Sequence, residues 1–491
     1  MSFNIRATIK VLGILTLIEG LFMLPALAVS LYYNEWHSGS AFLTTSMFCI
    51  SIGFVILTQM KSDKINLKAR EGYFITIISW LYCSLIGAIP IYFCGQNFPL
   101  ISCFFESVAS FTTTGCSVLD VTLVPKSILM WRAISHWLGG MGILVLLIAI
   151  FPLWGINNKS IALAETPGTS TSTLGANYSN SGKFLYMTYF IMSTMEFCIL
   201  VAGPMDWYNA ILTTCSSIST AGLIIIPEYA WMYKLEFVRM VVLIFTILSA
   251  MNFTVYLLVA SKKWKEILKN IELRVFFGLI ISSTVLISLS LKFSGGYSSL
   301  WQAFKDSLCQ VVSFISTSGF YVCDYTTWPS FAITILILLL FIGGCSYSTS
   351  GSLNVFRFLV LFKFIKRGVL RQIHPNMVKA VMLDDTTPVS SKVASSISMH
   401  TLLYFLTLLC GCVLLSFNNF DMETTFTTAI GIFSNTGIAL GESGSSGYFG
   451  MFNQFSQFVM SILMIAGRLE MYALIIVFAK SFWQPDKTTT I

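Results

Sequence analysis

Charge is what this sequence has least of. Lys, Arg, Asp and Glu make up 10% of its 491 residues, against about 25% in soluble globular domains, which excludes an ordinary soluble enzyme. It also lacks any polar linker longer than about 30 residues, so the expectation is one integral membrane domain. Histidine is sparse. His37, His136, His374 and His400 lie far apart, with no Cys or carboxylate set at metal spacing, which speaks against a zinc site or a His-dependent hydrolase. The 12 cysteines contain no CxxC pair and sit singly in apolar stretches, as at Cys49, Cys83, Cys94, Cys198 and Cys345; they read as small buried hydrophobes. There is no GxGxxG nucleotide fingerprint, and no covalently bound cofactor is expected. The formal charge of +7 comes from short basic clusters between apolar runs, with no basic face that would hold a nucleic acid.

What is present is apolar sequence in long runs. A spanning helix needs about 20 such residues. Ten candidates meet this, at 8–33, 40–60, 73–105, 133–158, 184–204, 240–261, 275–291, 331–356, 393–420 and 451–479. Lys and Arg near helix ends are retained on the cytoplasmic side. Placing the N-terminus inside, with the first run a retained helix, puts 22 of the 29 basic residues on that side, including Lys61 to Arg70, Lys262 to Arg274 and Arg357 to Lys392. The C-terminus is then also cytoplasmic.

Between the spans, on the outer side, lie four segments too short and too hydroxyl-rich to cross. They end in Ser110-Phe-Thr-Thr-Thr-Gly115, Ser217-Ile-Ser-Thr-Ala-Gly222, Phe314-Ile-Ser-Thr-Ser-Gly319 and Ile432-Phe-Ser-Asn-Thr-Gly437, their glycines 107, 97 and 118 residues apart. Such internal repetition outweighs any single motif. Apolar stretches of about 10–14 residues are more often re-entrant than spanning, and irregular backbone at membrane depth survives where it lines a water-filled path. Carbonyl groups in such a loop can replace a cation's hydration shell. The alternative reading of each segment alone is helix packing or an outer turn.

The chain resembles the Trk/Ktr/HKT superfamily of potassium transporters, and within it the membrane subunit of the Trk branch. The resemblance rests on the four loops, on Trp131-Arg132 with Trp137-Leu-Gly-Gly-Met-Gly142, on Phe341-Ile-Gly-Gly-Cys345, on His374-Pro-Asn376 and on Gly467-Arg-Leu-Glu470. It implies an all-α integral membrane protein of four pseudo-symmetric helix, pore helix, filter loop and helix repeats plus two N-terminal helices. The corresponding divisions are 1–72, 73–160, 161–262, 263–380 and 381–491. It further implies potassium as substrate and ligand at Thr113, Thr114 and Gly115, at Thr220, Ala221 and Gly222, at Thr317, Ser318 and Gly319, and at Asn435, Thr436 and Gly437. Backbone carbonyls would be the ligands. One glycine per loop suggests a single enforced turn per repeat and modest selectivity over sodium.

Below this filter the resemblance implies a gate, an intramembrane loop containing Gly343, Gly344, Cys345 and Gly351, together with Arg468 in the last span. Here Tyr347, Ser350 and Ser352 replace glycines of the family pattern and Asn354 replaces a lysine. Arg468 reads either as a charge barrier in the pore or as half of a buried pair with Glu470 or another carboxylate. Glu106 reads as structural or as weak cation attraction at the mouth. Glu19 and Glu196, inside other spans, have no evident partner and could face a dimer interface or the headgroups. The family further implies a homodimer, a cytoplasmic ring-forming nucleotide-binding regulatory subunit docked near 261–274 and 363–392, and a bacterial inner-membrane location. The competing functions are a secondary transporter of a small solute through broken helices, and a membrane-embedded enzyme, for which no acid, His or metal cluster is visible. Whether transport is passive or coupled to protons or sodium is open.

Overall fold

The computed structural model describes residues 5–60, 65–66, 69–120, 122–142, 156–157, 178–222, 235–320, 323–374, 382, 389, 391–444, 448–469 and 471–483. The later part of the 133–158 run, Glu470, Pro375 and Asn376 lie outside these residues. The described chain is almost wholly helical; a two-residue parallel pairing of Ile65–Asn66 with Ile156–Asn157 is its only sheet.

Six described helices are long and apolar enough to cross a membrane: Ile5–Tyr32, Trp36–Gln59, Arg70–Tyr92, Gly182–Ala202, Ile271–Phe293 and Val393–Asn418. The first two are the N-terminal pair, which pack on each other, and the other four are the outer helices of four repeats. Each outer helix is followed by a short one. These pore helices are Leu100–Phe111, Trp207–Ile218, Leu300–Ile315 and Met422–Phe433. Asp206 and Asp421 cap the second and fourth by accepting from the amides of Asn209 and Thr424. Pro99 opens the first, where a missing N–H costs nothing.

The inner helices, Lys126–Gly140, Glu236–Ala250, Ser330–Ile342 and Gln454–Arg468, are too short to cross alone at 1.5 Å per residue. A break was expected only in the third. The second also breaks, at 251–253, turning by 100° into Thr254–Ala260, and the fourth breaks before Tyr472–Phe478, with Met471 at φ +57°. Neither break carries a proline or a glycine run, so the sequence there reads as continuous helix.

Polarity is inverted relative to a soluble protein. Past their first turns the hydroxyl-rich pore helices are largely buried, whereas Phe48, Phe54, Ile281 and Val413 on the long helices are exposed, as lipid demands. Exposed Tyr32, Trp36, Tyr92, Trp207 and Trp301 cluster at the ends of elements next to the pore helices, and Trp264 and Trp483 at the opposite ends, the arrangement of aromatic belts. Each inner helix packs against the pore helix of the next repeat, first on second, second on third, third on fourth and fourth on first. The repeats therefore close into a ring.

Candidate ion pathway

All four pore helices stop in the same way. The residue after the helix, Thr112, Ser219, Ser316 or Ser434, stays near helical geometry; the next, Thr113, Thr220, Thr317 or Asn435, turns to φ between +52° and +56°. The amides of Thr114, Ala221, Ser318 and Thr436 then reach back five residues to Ala109, Ser216, Ser313 and Gly431 at 2.9, 2.9, 3.0 and 2.9 Å. This is the Schellman termination, which ordinarily places Gly or Asn at the left-handed position. Three of these four positions are threonine, whose branched Cβ makes positive φ costly. The filter glycines follow two residues later, also at positive φ, +71°, +74°, +69° and +67°. The expectation of one special turn per loop is thus corrected to two, because helix-end hydrogen bonding imposes the first without a glycine.

These glycines are required by contact as well as by φ. A Cβ on Gly115 would run into the carbonyl oxygen of Ala221, on Gly222 into that of Ser318, on Gly319 into that of Thr436, and on Gly437 into that of Thr114. The four carbonyls preceding the glycines are therefore brought together in one ring, each held by the backbone of the preceding repeat. Side chains brace it from behind: Thr112 pairs with Thr114 at 2.8 Å, Ser316 with Ser318 at 3.0 Å and Ser434 with Thr436 at 2.9 Å. Ala221 has no hydroxyl for this. Asn435 instead donates to Thr114 Oγ1 at 3.1 Å and to the Met464 carbonyl at 2.9 Å, joining the fourth repeat to the first.

Nine residues before the glycine, a polar side chain ties down the segment that follows it. Glu106 accepts from the amides of Val118 and Leu119 at 2.8 and 3.1 Å and from the Ser117 hydroxyl; Gln310 donates to the Cys323 carbonyl at 3.2 Å; Thr428 meets Ser443 at 3.4 Å. Glu106 is buried and also pairs with Arg132 at 3.3 Å, while Arg132 donates to the Cys116 carbonyl at 3.1 Å. The carboxylate is structural and does not line the mouth. Glu19 and Glu196 likewise reach neither an interface nor the headgroups. Both are fully buried; Glu196 accepts from Ser217 of the second pore helix at 2.6 Å, and Glu19 lies against Gly87 and Cys83.

The intramembrane loop 343–352 meets the filter directly. The Gly351 amide donates to Thr317 Oγ1 at 2.8 Å, and a Cβ on Gly351 would strike the Ser434 carbonyl. Gly343 turns at φ +72°, the Gly344 carbonyl accepts from Val355 at 2.9 Å, and the Cys345 amide donates to the Ala250 carbonyl at 3.0 Å. Tyr347, Ser352 and Asn354 keep positive φ (+54°, +68° and +72°) without being glycine. Ser352 offsets its strain with Oγ hydrogen bonds to the Leu340 and Phe341 carbonyls, both 2.7 Å.

Arg468 is half-buried at the end of the fourth inner helix. It donates to the Thr349 carbonyl of this loop at 2.9 Å and to the carbonyls of Gly139 and Gly140 at 2.7 and 2.6 Å. These contacts are to carbonyl dipoles; Glu470, the carboxylate expected to pair with it, lies outside the described residues. The glycine pair that supplies them is explained by packing, since a Cβ on Gly139 would strike the Phe111 carbonyl. Gly467 approaches the Phe433 carbonyl in the same way. Among the described residues no group of three His, Cys, Asp or Glu could hold a metal ion.

Comparison with known proteins follows the same outline. Residues 38–488 match the family model described as TrkH, cation transport protein. The chain is 32% identical to the Trk system potassium uptake protein TrkG of Escherichia coli K12, over 98% of this chain and 99% of the relative. It is 28% identical to TrkH of the same organism, over 98% and 100%. The crystal structure of the potassium transporter TrkH from Vibrio parahaemolyticus superposes with a TM-score of 0.84 at 26% identity, covering 98% of this chain and all of that one.

Proposed function

Because the chain belongs to the TrkH family of cation transport proteins, we propose that it is the ion-conducting membrane subunit of a potassium uptake system. The observation that carries this is the closed ring of carbonyls at Thr114, Ala221, Ser318 and Thr436; those of Thr113, Thr220, Thr317 and Asn435 are the further ligands we propose. Each lies at the C-terminal, negative end of a buried pore helix, so the potential at the centre favours a cation. The carbonyls take over its hydration shell. Carbonyls and hydroxyls suit an alkali ion better than an organic solute, which argues against the small-solute reading.

Beneath the ring the 343–352 loop obstructs the path, and Arg468 adds a positive charge there that opposes cation exit while pinning the loop through Thr349. K+ is the substrate. The bias of basic residues supports cytoplasmic termini, and the Trk system relatives support a bacterial inner-membrane location. The naming of its relatives as Trk system proteins supports membership of a multi-component system; a homodimer with a cytoplasmic nucleotide-binding ring on the basic face is the assembly we propose.

The test is rubidium uptake in cells lacking their own potassium uptake. The wild-type chain should restore it with sodium excluded. Gly319→Ser, which pushes against the Thr436 carbonyl, should abolish the discrimination; unchanged rubidium uptake and sodium exclusion would sink the filter assignment.

A further inference from the structure

Glu272 stands at the start of the third outer helix, immediately after a basic segment, and by sequence looks like one more solvated surface charge. It is 6% exposed. Its Oε1 accepts from the Ser346 amide at 2.6 Å and the Ser346 hydroxyl at 2.8 Å, and its Oε2 accepts from Asn252 Nδ2 at 3.1 Å. The Phe356 amide, in the first turn of helix Val355–Ile373, also faces this carboxylate, which places a negative charge at that helix's positive end.

The donors belong to three separate pieces. Ser346 is in the intramembrane loop. Asn252 is the hinge of the second inner helix, where its Oδ1 also accepts from the amide and hydroxyl of Thr254 at 2.9 and 2.7 Å. Phe356 opens the half-helix through which the loop leaves. For the loop to withdraw from Thr317 and Ser434, these pieces must move relative to one another, and the Glu272 carboxylate spans all of them. Other loop contacts to the hinge region are neutral, Thr349 on the Ser249 carbonyl and Phe253 on the Tyr347 carbonyl; the charge-assisted bonds to Glu272 are the stronger kind. The helix Trp264–Lys269, just before Glu272, buries none of its residues, so it presents an exposed surface close to this carboxylate along the chain.

We propose that Glu272 is a positioning residue that clasps the intramembrane loop beneath the filter and so sets the balance between the obstructed and open pathway. This rests on the reading that the 343–352 loop is the obstruction.

The experiment uses the full chain reconstituted in liposomes, with rubidium flux and single-channel recording in potassium, for wild type, Glu272→Gln, Ser346→Ala, the double variant and a chain with 345–350 replaced by a short glycine linker. Loss of one charge-assisted bond should shift a two-state balance by roughly tenfold. Glu272→Gln and Ser346→Ala should each raise open probability by about that factor, the double variant should raise it no further, and the rubidium-to-sodium ratio should stay unchanged, which mere loosening of the fold would not allow. If linker replacement raises flux and neither single variant does, the clasp is refuted while the obstruction stands. If linker replacement raises nothing, the obstruction itself is wrong and the clasp falls with it. Should Glu272→Gln fail to assemble, Ser346→Ala decides alone, and wild-type open probability there refutes the clasp.

Discussion

Thr220 and Ala221 show how the filter separates two demands that one residue usually meets together. At Thr220 the backbone is forced to φ +52°, and its hydroxyl only folds back to the Ser219 carbonyl at 2.8 Å. Thr220→Gly should therefore relieve strain of about 1–3 kcal/mol, offset in part by glycine's greater entropy in the unfolded chain; a higher melting temperature in detergent with an unaltered rubidium-to-sodium ratio is the expected outcome. At Ala221 the carbonyl serves and the side chain does not, so Ala221→Ser should leave uptake unchanged. Gly115→Ala should abolish it, because its Cβ meets the Ala221 carbonyl. The glycines were legible in the sequence because nothing else tolerates both the turn and the contact. The threonine turns were not, since a Schellman end is recognised by Gly or Asn and only Asn435 fits that rule. Glu272 was hidden for another reason: its three donor residues lie 20 to 84 residues away along the chain, beyond any local pattern.

Helices and loops tell a similar story one level up. The long outer helices and the hydroxyl-rich pore helices could be read from length and composition, because lipid exposure and pore lining leave opposite signatures. The breaks in the second and fourth inner helices could not, as Met251 and Leu469 look like any membrane residue; those ends are set by hydrogen bonds to other elements, such as Cys345 to the Ala250 carbonyl. The first pore helix and first inner helix are joined by the buried Glu106–Arg132 pair. Arg132→Met strands the carboxylate and should cost about 3–5 kcal/mol of stability, whereas Glu106→Gln combined with Arg132→Met should recover most of it. Thermal denaturation of the purified variants measures both, and equal losses in single and double variants would show the pair to be incidental.

At the scale of the molecule the four repeats close cyclically twice, inner helix on the next pore helix and glycine on the next carbonyl. The join between the last repeat and the first has an extra cross-link, Asn435 to Thr114. Asn435→Thr would make the fourth loop match the other three, remove that link, and leave the carbonyl ring in place; the expected outcome is potassium uptake retained with a lower melting temperature. The order of closure was not visible in the sequence, which gives the period of the repeats and nothing about which neighbours touch. It has a consequence for how such a protein tolerates change. Apart from the Asn435–Thr114 link, what these loops pass from quarter to quarter is main chain, glycine Cα against carbonyl oxygen, so the side chains of each quarter have room to drift apart, as Thr-Thr, Thr-Ala, Thr-Ser and Asn-Thr have done here. Four identical subunits could not do this, since every substitution would be copied four times. A single chain can test novelty in one quadrant while the other three keep the ring intact.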